Sequence, residues 1–287
     1  HKSLSFLIPM LGGNEKTEIF EKEENGVLYV GLSHPYFSKR LGIYGDTSFQ
    51  PYSDNCPRFL CFAKAVALYL AATDWKVDIV HCHDWTTGLV PHYLKYFKVE
   101  AKTVFTIHNL AYQGVFPPFD AIISSSRIPH SALRGPKAHE NINMMAAGLM
   151  DSDFITTVSP TYMEEIRQSD MGSGLDDILR NRKEVSRGII NGIDYNEWNP
   201  ETDKDLISNY SIENMEGKKK CKEEILKEFK IHGYDDKPLF AMISRLADQK
   251  GFDELLLEGE PCALERILRA DAIHLPCDFS NMVGYLA

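Results

Sequence analysis

The chain has 287 residues, which at about 150 residues per domain suits one large domain or two modest ones. Its 31 Lys and Arg against 41 Asp and Glu give a net charge of −10, which repels phosphate backbones and anionic lipid head groups. We therefore expect neither nucleic acid nor a membrane as partner, and 44% hydrophobic residues are typical of a soluble globular protein. Six scattered cysteines without a CxxC pair indicate a reducing compartment, so we expect a cytoplasmic protein, or a plastid protein in a plant or alga.

Short apolar strands alternate with helices through the middle of the chain. The predicted strands are 77–81, 103–107, 154–158 and 188–190. After the first strand a helix is predicted at 87–96, and after the third a helix begins with Ser159 as N-cap and Pro160 at its first position. Nearly continuous apolar strands between helices indicate a parallel sheet covered on both faces. Ligands bind such folds at the carboxyl ends of the strands, so the loops that follow the strands are the candidate site.

A polar segment without clear periodicity, at 194–210, is predicted to be a linker between two α/β units. Beyond it, 218–229 has the apolar spacing of an amphipathic surface helix. An apolar run at 239–243 predicts the first strand of the second unit.

The first predicted strand ends in the polar residues His81, Cys82, His83 and Asp84. A metal site is one interpretation, because His81 and His83 share a face of an extended chain and zinc or copper takes such ligands. It would make the protein a metal-dependent hydrolase, whereas a satisfied polar strand end is the structural alternative. We favour a third interpretation, a sugar site, in which Asp84 accepts hydrogen bonds from hydroxyls and Trp85 covers an apolar sugar face.

The loop after the second predicted strand contains His108, Asn109, Tyr112 and Gln113. An imidazole, two amides and a phenol can orient several hydroxyls at once, as a polyol requires, since each unpaired buried polar group costs about 1–3 kcal/mol. The alternative is a structural His108 whose ring nitrogens bond to backbone carbonyls.

Two cations, Arg245 and Lys250, follow the predicted strand at 239–243 and precede a helix that begins near Gly251. Cations close to a helix N-terminus form an anion site that suits a diphosphate. Solvated surface cations are the alternative. The sequence contains neither GxxxxGK[ST] nor GxGxxG, so no other phosphate-binding motif competes with this interpretation.

Taken together, these segments resemble the bacterial glycogen synthase and plant starch synthase family. The matching segments, in the family's order, are 52–59, 81–89, 106–114, 157–162, 172–175, 191–194, 198–200, 244–246 and 248–251. The resemblance implies the GT-B type of α/β fold, in which two Rossmann-like domains face a cleft. We accordingly predict an N-terminal Rossmann-like domain over 1–200, on the glucan acceptor side, and an incomplete C-terminal one over 201–287, on the nucleotide-sugar side.

The family transfers glucose, with retention and without a metal or other cofactor, from a sugar nucleotide to the 4-hydroxyl at the non-reducing end of an α-1,4-glucan such as glycogen or starch. The resemblance thus implies ADP-glucose, or UDP-glucose, as donor. The catalytic residues implied are His108, Asp84, Arg245 and Lys250. The donor-binding residues implied are Tyr44, Asn191, Arg245 and Lys250. The residues that we expect in the acceptor or sugar cleft are Trp85, Asn109, Tyr112 and Gln113.

The chain also departs from the family's pattern. The family's glycine-rich donor loop, with a lysine before paired glycines, has no counterpart, and 146–148 is Ala-Ala-Gly where the family has Lys-Ala-Gly. Ser280 occupies the position of a catalytic-site glutamate. These departures leave a second hypothesis open, a catalytically inactive glucan-binding relic or fragment of the family.

Overall fold

The structure is a computed structural model that describes residues 2–10, 13–47, 50–117, 127–134 and 141–233, together with 236, 238 and 239. Within the chain there are two compact units, His1–Ile193 and Asp194–Ala287. Arg245, Lys250 and Ser280 lie outside the described residues, as does all but the first residue of the strand predicted at 239–243. The predicted domains 1–200 and 201–287 therefore stay predictions.

The described strands and α-helices are numbered in chain order. The strands are β1 (Lys2–Met10), β2 (Gly13–Glu24), β3 (Val27–Ser33), β4 (Ile79–His83), β5 (Lys102–Ile107), β6 (Val115–Phe116), β7 (Leu133–Arg134), β8 (Asn141–Asn143), β9 (Phe154–Thr157) and β10 (Ser186–Gly188). The helices are α1 (Pro35–Ser38), α2 (Asn55–Ala72), α3 (Val90–Tyr96), α4 (Met144–Asp151), α5 (Pro160–Glu165), α6 (Asp176–Asn181) and α7 (Glu216–Glu228). None of these helices has the length and apolar character that crossing a bilayer requires.

A four-stranded parallel sheet, in the order β10-β9-β5-β4, organises the first unit. The prediction of a parallel sheet alternating with helices is thus confirmed for this unit. Two strands lie two residues away from their predicted positions. The strand predicted at 77–81 is β4 and ends at His83, and the strand predicted at 188–190 is β10 and ends at Gly188. The ladder decides both bounds, because β4 stays paired with β5 up to His83 and the pairing of β10 with β9 ends where Gly188 meets Thr157. Ile189 and Ile190, predicted to be in the strand, are exposed beyond it.

The helices that pack around this sheet supply most of the buried core residues. The side chain of Ser159 accepts a hydrogen bond from the backbone N–H of Tyr162, and Pro160 opens α5, so the predicted cap is confirmed. The helix predicted at 87–96 is divided into a 3₁₀ turn, Trp85–Thr87, and α3. The amphipathic helix predicted at 218–229 is confirmed as α7.

An antiparallel meander that the sequence pattern did not predict lies at the start of the chain and is formed by β1, β2 and β3. One face of it packs on the core through Ile8, Thr17 and Ile19, all almost fully buried. Phe20 and Tyr29 on the other face are exposed. The helix α2 contacts β1 and α3, so it joins the meander to the core of the parallel sheet.

Candidate active site

The carboxyl ends of the parallel strands bring the predicted site residues of the first unit to one edge of the sheet. Asp84 directly follows β4, and His108 directly follows β5. Asn191 lies three residues beyond β10, on an exposed segment. Because the strands are parallel, their carboxyl ends form the edge where ligands bind in such folds.

Asp84 joins the two central motifs of this edge. The backbone N–H of His108 donates to Asp84 Oδ1 at 2.8 Å, and the backbone N–H of Asp84 donates to the carbonyl of Thr106 at 2.9 Å. The backbone of Asp84 has φ +56° and ψ −177°, a conformation that costs residues other than glycine about 1–3 kcal/mol. The surrounding contacts therefore hold a strained carboxylate at the junction of two strand ends.

Three imidazoles line the same edge. His83 Nδ1 lies 2.9 Å from His108 Nε2, and the centroids of the two rings are 5.2 Å apart with an angle of 29° between the ring planes. The ring of His81 lies against that of His83 at 4.2 Å, and its Nε2 is 2.6 Å from the hydroxyl of Thr106. That hydroxyl is in turn bonded to the hydroxyl of Thr156 at 2.6 Å. A structural His108 would bond to backbone carbonyls through its ring nitrogens. The contact of its Nε2 with His83 does not fit that alternative.

Electrostatics favours the neutral form of the central ring. Burial lowers the pKa of His83, and the neighbouring His81 and His108 lower it further, while the charge of Asp84 opposes them. A lowered pKa keeps the imidazole of His83 uncharged at neutral pH, so that it can offer one N–H and one lone pair.

The metal interpretation receives no support from these side chains. Cys82 points to the buried face of β4, opposite to His81 and His83, and burial raises the pKa of its thiol to about 12. A thiol must lose its proton to bind a metal, which so high a pKa opposes. Among the residues that the structure describes, no group of three or more His, Cys, Asp and Glu side chains is arranged to hold a metal ion.

Trp85 belongs to an aromatic cluster beside this edge. Its indole meets the ring of Phe59 edge-on at 4.7 Å and lies 5.9 Å from Tyr44 and 5.8 Å from Phe116. Gly114, at φ +62°, covers part of the indole, because a Cβ there would come within 2.3 Å of Trp85 Cε3. The sequence therefore needs glycine at 114 for the loop to approach the tryptophan.

A pocket of about 310 Å³ opens next to this cluster. Its lining residues are Pro51, Asn55, Trp85, Ala111, Tyr112, Gln113, Gly114, Val115 and Phe116. Three of the four residues predicted for the sugar cleft thus line one pocket. The fourth, Asn109, shapes the loop instead: its Oδ1 accepts a hydrogen bond from the backbone N–H of Ala111 at 3.0 Å.

Gln113 also ties its loop to two other parts of the first unit. Its Nε2 donates to the carbonyl of Ser173 at 2.9 Å, and its Oε1 accepts from Nδ2 of Asn143 at 2.6 Å. Its amide therefore has protein partners at both ends, and its predicted role in holding sugar stays a prediction. Ser173 belongs to the segment 172–175, which matched the family pattern without an assigned role.

The segment that carries Tyr44 is held by two residues whose role the sequence analysis missed. Arg58 is almost fully buried and donates to the carbonyls of Tyr36 and Ile43 at 2.9 and 3.1 Å. Asn55 donates to the carbonyl of Tyr44 at 2.8 Å. Both residues lie in the matching segment 52–59, so the signal was present as an arginine within a mostly apolar helix. Their contacts place the half-exposed ring of Tyr44 beside Trp85.

Comparisons with known proteins agree with this architecture. The starch synthase catalytic domain family model matches residues 2–181. The glycogen synthases of Thermodesulfovibrio yellowstonii and Myxococcus xanthus are 40% and 42% identical to this chain over 241 and 243 residues. These alignments cover 82% and 81% of this chain but 48% and 50% of the relatives, so the chain spans about half their length.

A solved structure shows the same likeness at the level of the fold. The catalytic domain of starch synthase IV from Arabidopsis thaliana, bound to ADP and acarbose, matches with a TM-score of 0.69 and 26% identity. The match covers 90% of this chain and 55% of that chain, and it confirms the predicted GT-B type of α/β fold. Since the family model matches more than half of its residues, this chain belongs to the starch synthase catalytic domain family.

Proposed function

We propose that this chain is part of a cytoplasmic, retaining glucosyltransferase of glycogen or starch synthesis. The donor is a nucleotide-glucose, ADP-glucose in preference to UDP-glucose, and the acceptor is the 4-hydroxyl at the non-reducing end of an α-1,4-glucan. Membership of the family and relatives named glycogen synthase support the proposal. ADP and acarbose in the starch synthase IV structure support the two substrate classes.

The observation that carries the proposal is the junction of Asp84 and His108. Asp84 and His108 each follow their own parallel strand, and the backbone N–H of His108 donates a 2.8 Å hydrogen bond to the carboxylate of Asp84, whose own backbone is strained. In the proposed reaction His108 contacts the donor glucose and Asp84 faces the reacting sugars. A fixed carboxylate there stabilises positive charge that develops on the sugar ring as the glycosidic bond to the nucleotide breaks.

The pocket beside the junction suits the acceptor side. Its lining combines aromatic rings, Trp85 and Phe116, with the phenol of Tyr112 and the amide of Asn55. Aromatic faces pack against the apolar side of a sugar ring, and polar groups at the margin bind its hydroxyls. We assign this pocket to a glucan end, together with Gln113 and, through the loop that it shapes, Asn109.

The donor side of the proposal depends on four residues. Tyr44 is proposed to lie near the nucleotide base, and Asn191 to contact the donor. Arg245 and Lys250 are proposed to neutralise the diphosphate as negative charge grows on it, since preorganised cations act on charge that develops in the transition state. This mechanism needs no metal or other cofactor.

Incubation of the purified chain with labelled ADP-glucose and glycogen tests the proposal. We expect label in the glycogen, and a parallel reaction with labelled UDP-glucose tests the donor preference. Arg245→Ala is expected to lower turnover by about 10²–10³-fold, the usual effect of losing a group that stabilises transition-state charge. Turnover that is unaffected by Arg245→Ala would contradict the role assigned to that loop.

A glucan-binding protein without turnover is the second candidate. The observation that favours it is that all residues lining the 310 Å³ pocket belong to the first unit, so that glucan binding there does not require Arg245 or Lys250. Retention of the chain on glycogen without any incorporation of label would decide for this candidate. Incorporation of label would exclude it.

A further inference from the structure

We propose that His83 and His81 are positioning residues for His108, and that they hold its ring in one orientation and couple its tautomer to that of His83. The inference rests on the proposed function in one respect, the contact between His108 and the donor sugar. The arrangement of the three rings itself is a property of the folded first unit.

The first step is the contact between His83 and His108. The 2.9 Å distance between His83 Nδ1 and His108 Nε2 is that of a hydrogen bond, in which one nitrogen carries the proton and the other supplies the lone pair. His108 therefore uses Nε2 within the protein and has Nδ1 left for a substrate. In the neutral pair the two tautomers are coupled: a proton on His83 Nδ1 requires the proton of His108 to be on its Nδ1, and a proton on His108 Nε2 leaves a lone pair on its Nδ1.

The second step is the support of His83 by His81. The two side chains project from the same face of β4, and their ring centroids are 4.2 Å apart. His81 cannot rotate freely, because its Nε2 lies 2.6 Å from the hydroxyl of Thr106. Thr106 is almost fully buried and is itself bonded to Thr156 on the next strand. The fixed ring of His81 thus limits the positions open to the ring of His83 beside it.

The third step is electrostatic. The titratable groups that act on His83 are His81, His108 and Asp84. Burial and the two neighbouring imidazoles favour the neutral form of His83, which leaves one nitrogen as donor and the other as acceptor. A second proton on the pair would put two donors face to face and break the contact.

The two contacts use different ring nitrogens, and this permits a crossed test. The amide of asparagine superposes on the Nδ1 side of a histidine ring, and that of glutamine reaches the Nε2 position. At residue 83, where Nδ1 makes the contact, His83→Gln is expected to lower kcat by about 10²-fold, the effect of a small misplacement at a reacting group. His83→Asn should recover most of that loss.

At residue 81 the order should reverse, because Nε2 makes the contact with Thr106. His81→Gln should retain more activity than His81→Asn, and KM for the donor should change less than kcat in all four variants. His232→Gln, at an exposed imidazole of the second unit, serves as the control. Equal effects of Asn and Gln at both positions would overturn the inference.

Long-range nitrogen–proton NMR of the chain labelled with ¹⁵N-histidine reads the tautomers directly. The signals of His108 are assigned by their loss in His108→Asn. We expect tautomer populations of His108 that differ from those of free histidine in the parent and come close to them in His83→Gln. An unaltered tautomer in His83→Gln would overturn the inference, whereas absence of turnover in the parent would contradict the proposed function alone.

Discussion

Two aspartates tie neighbouring strands together at opposite edges of the parallel sheet, and they do so in different ways. At the amino edge, Asp153 Oδ2 accepts hydrogen bonds from the backbone N–H and the hydroxyl of Thr103, both at 2.8 Å, and Oδ1 lies 3.2 Å from Nζ of Lys102. At the carboxyl edge, Asp84 Oδ1 accepts from the backbone N–H of His108, and the residue has a strained backbone.

The difference is the one expected between a structural carboxylate, Asp153, and the functional one that we propose at Asp84. Asp153 has three donors and an ordinary conformation, so its interactions lower the energy of the fold. Asp84 has positive φ and lies among imidazoles and phenols. The fold holds it there although its backbone conformation lowers the stability of the protein. Strain of this kind persists where the surrounding structure fixes a residue for a purpose other than stability. Four predictions test this comparison, beginning with the largest effect.

Asp84→Asn should separate activity from stability most sharply. Asparagine tolerates positive φ and retains an oxygen that can accept from His108, so the free energy of unfolding should change little. Loss of the negative charge should lower kcat by about 10²–10³-fold. Measurement of turnover with labelled donor and of thermal unfolding would check both. A variant that unfolds at a clearly lower temperature than the parent would show that Asp84 stabilises the fold, as Asp153 does.

Gly114→Ala tests how closely the carboxyl edge is packed. The new methyl group would meet the indole of Trp85 at 2.3 Å, and φ +62° adds strain, so we expect a loss of about 2–3 kcal/mol in the free energy of unfolding. Gly174→Ala is the matched control, because Gly174 has φ +76° but nothing within 4 Å of an added Cβ. Equal losses of unfolding free energy in the two variants would show that the close approach of residue 114 to Trp85 adds nothing to the effect of the positive φ.

Asp153→Ala should have the opposite signature to Asp84→Asn. Removal of the carboxylate leaves the partly buried Thr103 N–H without its acceptor, which should cost about 1–2 kcal/mol of stability. The folded fraction should keep its kcat, since the change lies at the other edge of the sheet. Urea unfolding combined with turnover per folded molecule would check this, and a selective loss of kcat would contradict the comparison.

The sequence predicts the parts of the fold that local patterns determine. Apolar β-branched runs mark β5 and β9, and Ser159 with Pro160 marks the start of α5. The meander was missed because β2 reads Gly-Asn-Glu-Lys-Thr-Glu-Ile-Phe-Glu-Lys-Glu-Glu, in which charges occupy both faces and conceal the alternation. Only tertiary contacts explain why Thr17 and Ile19 are buried while their neighbours remain in water.

The candidate site was predictable as a set of residue types, but its contacts were not. That His83 meets His108 depends on the register of β4 against β5, in which His83 lies opposite Thr106. No local pattern fixes that register. The positive φ of Asp84 likewise results from the turn that the strand ends impose, and Gln113, expected to bind sugar, has partners from segments 30 and 60 residues away.

The smallest expected effect concerns pH at the amino edge. Burial alone would raise the pKa of Asp153, but hydrogen bonds from Thr103 and Lys102 outweigh it and hold this pKa below its ordinary value of 3.8. A carboxyl group with a lower pKa in the folded state adds stability above the unfolded pKa and loses it as pH falls through the folded pKa. Because the carboxylate is partly exposed, the contribution should be under about 1 kcal/mol.

Stability should therefore fall less steeply in Asp153→Asn than in the parent between about pH 5 and pH 2, since the amide does not titrate there. Urea unfolding at a series of pH values would measure the difference. A profile in Asp153→Asn as steep as that of the parent would contradict the lowered pKa of Asp153.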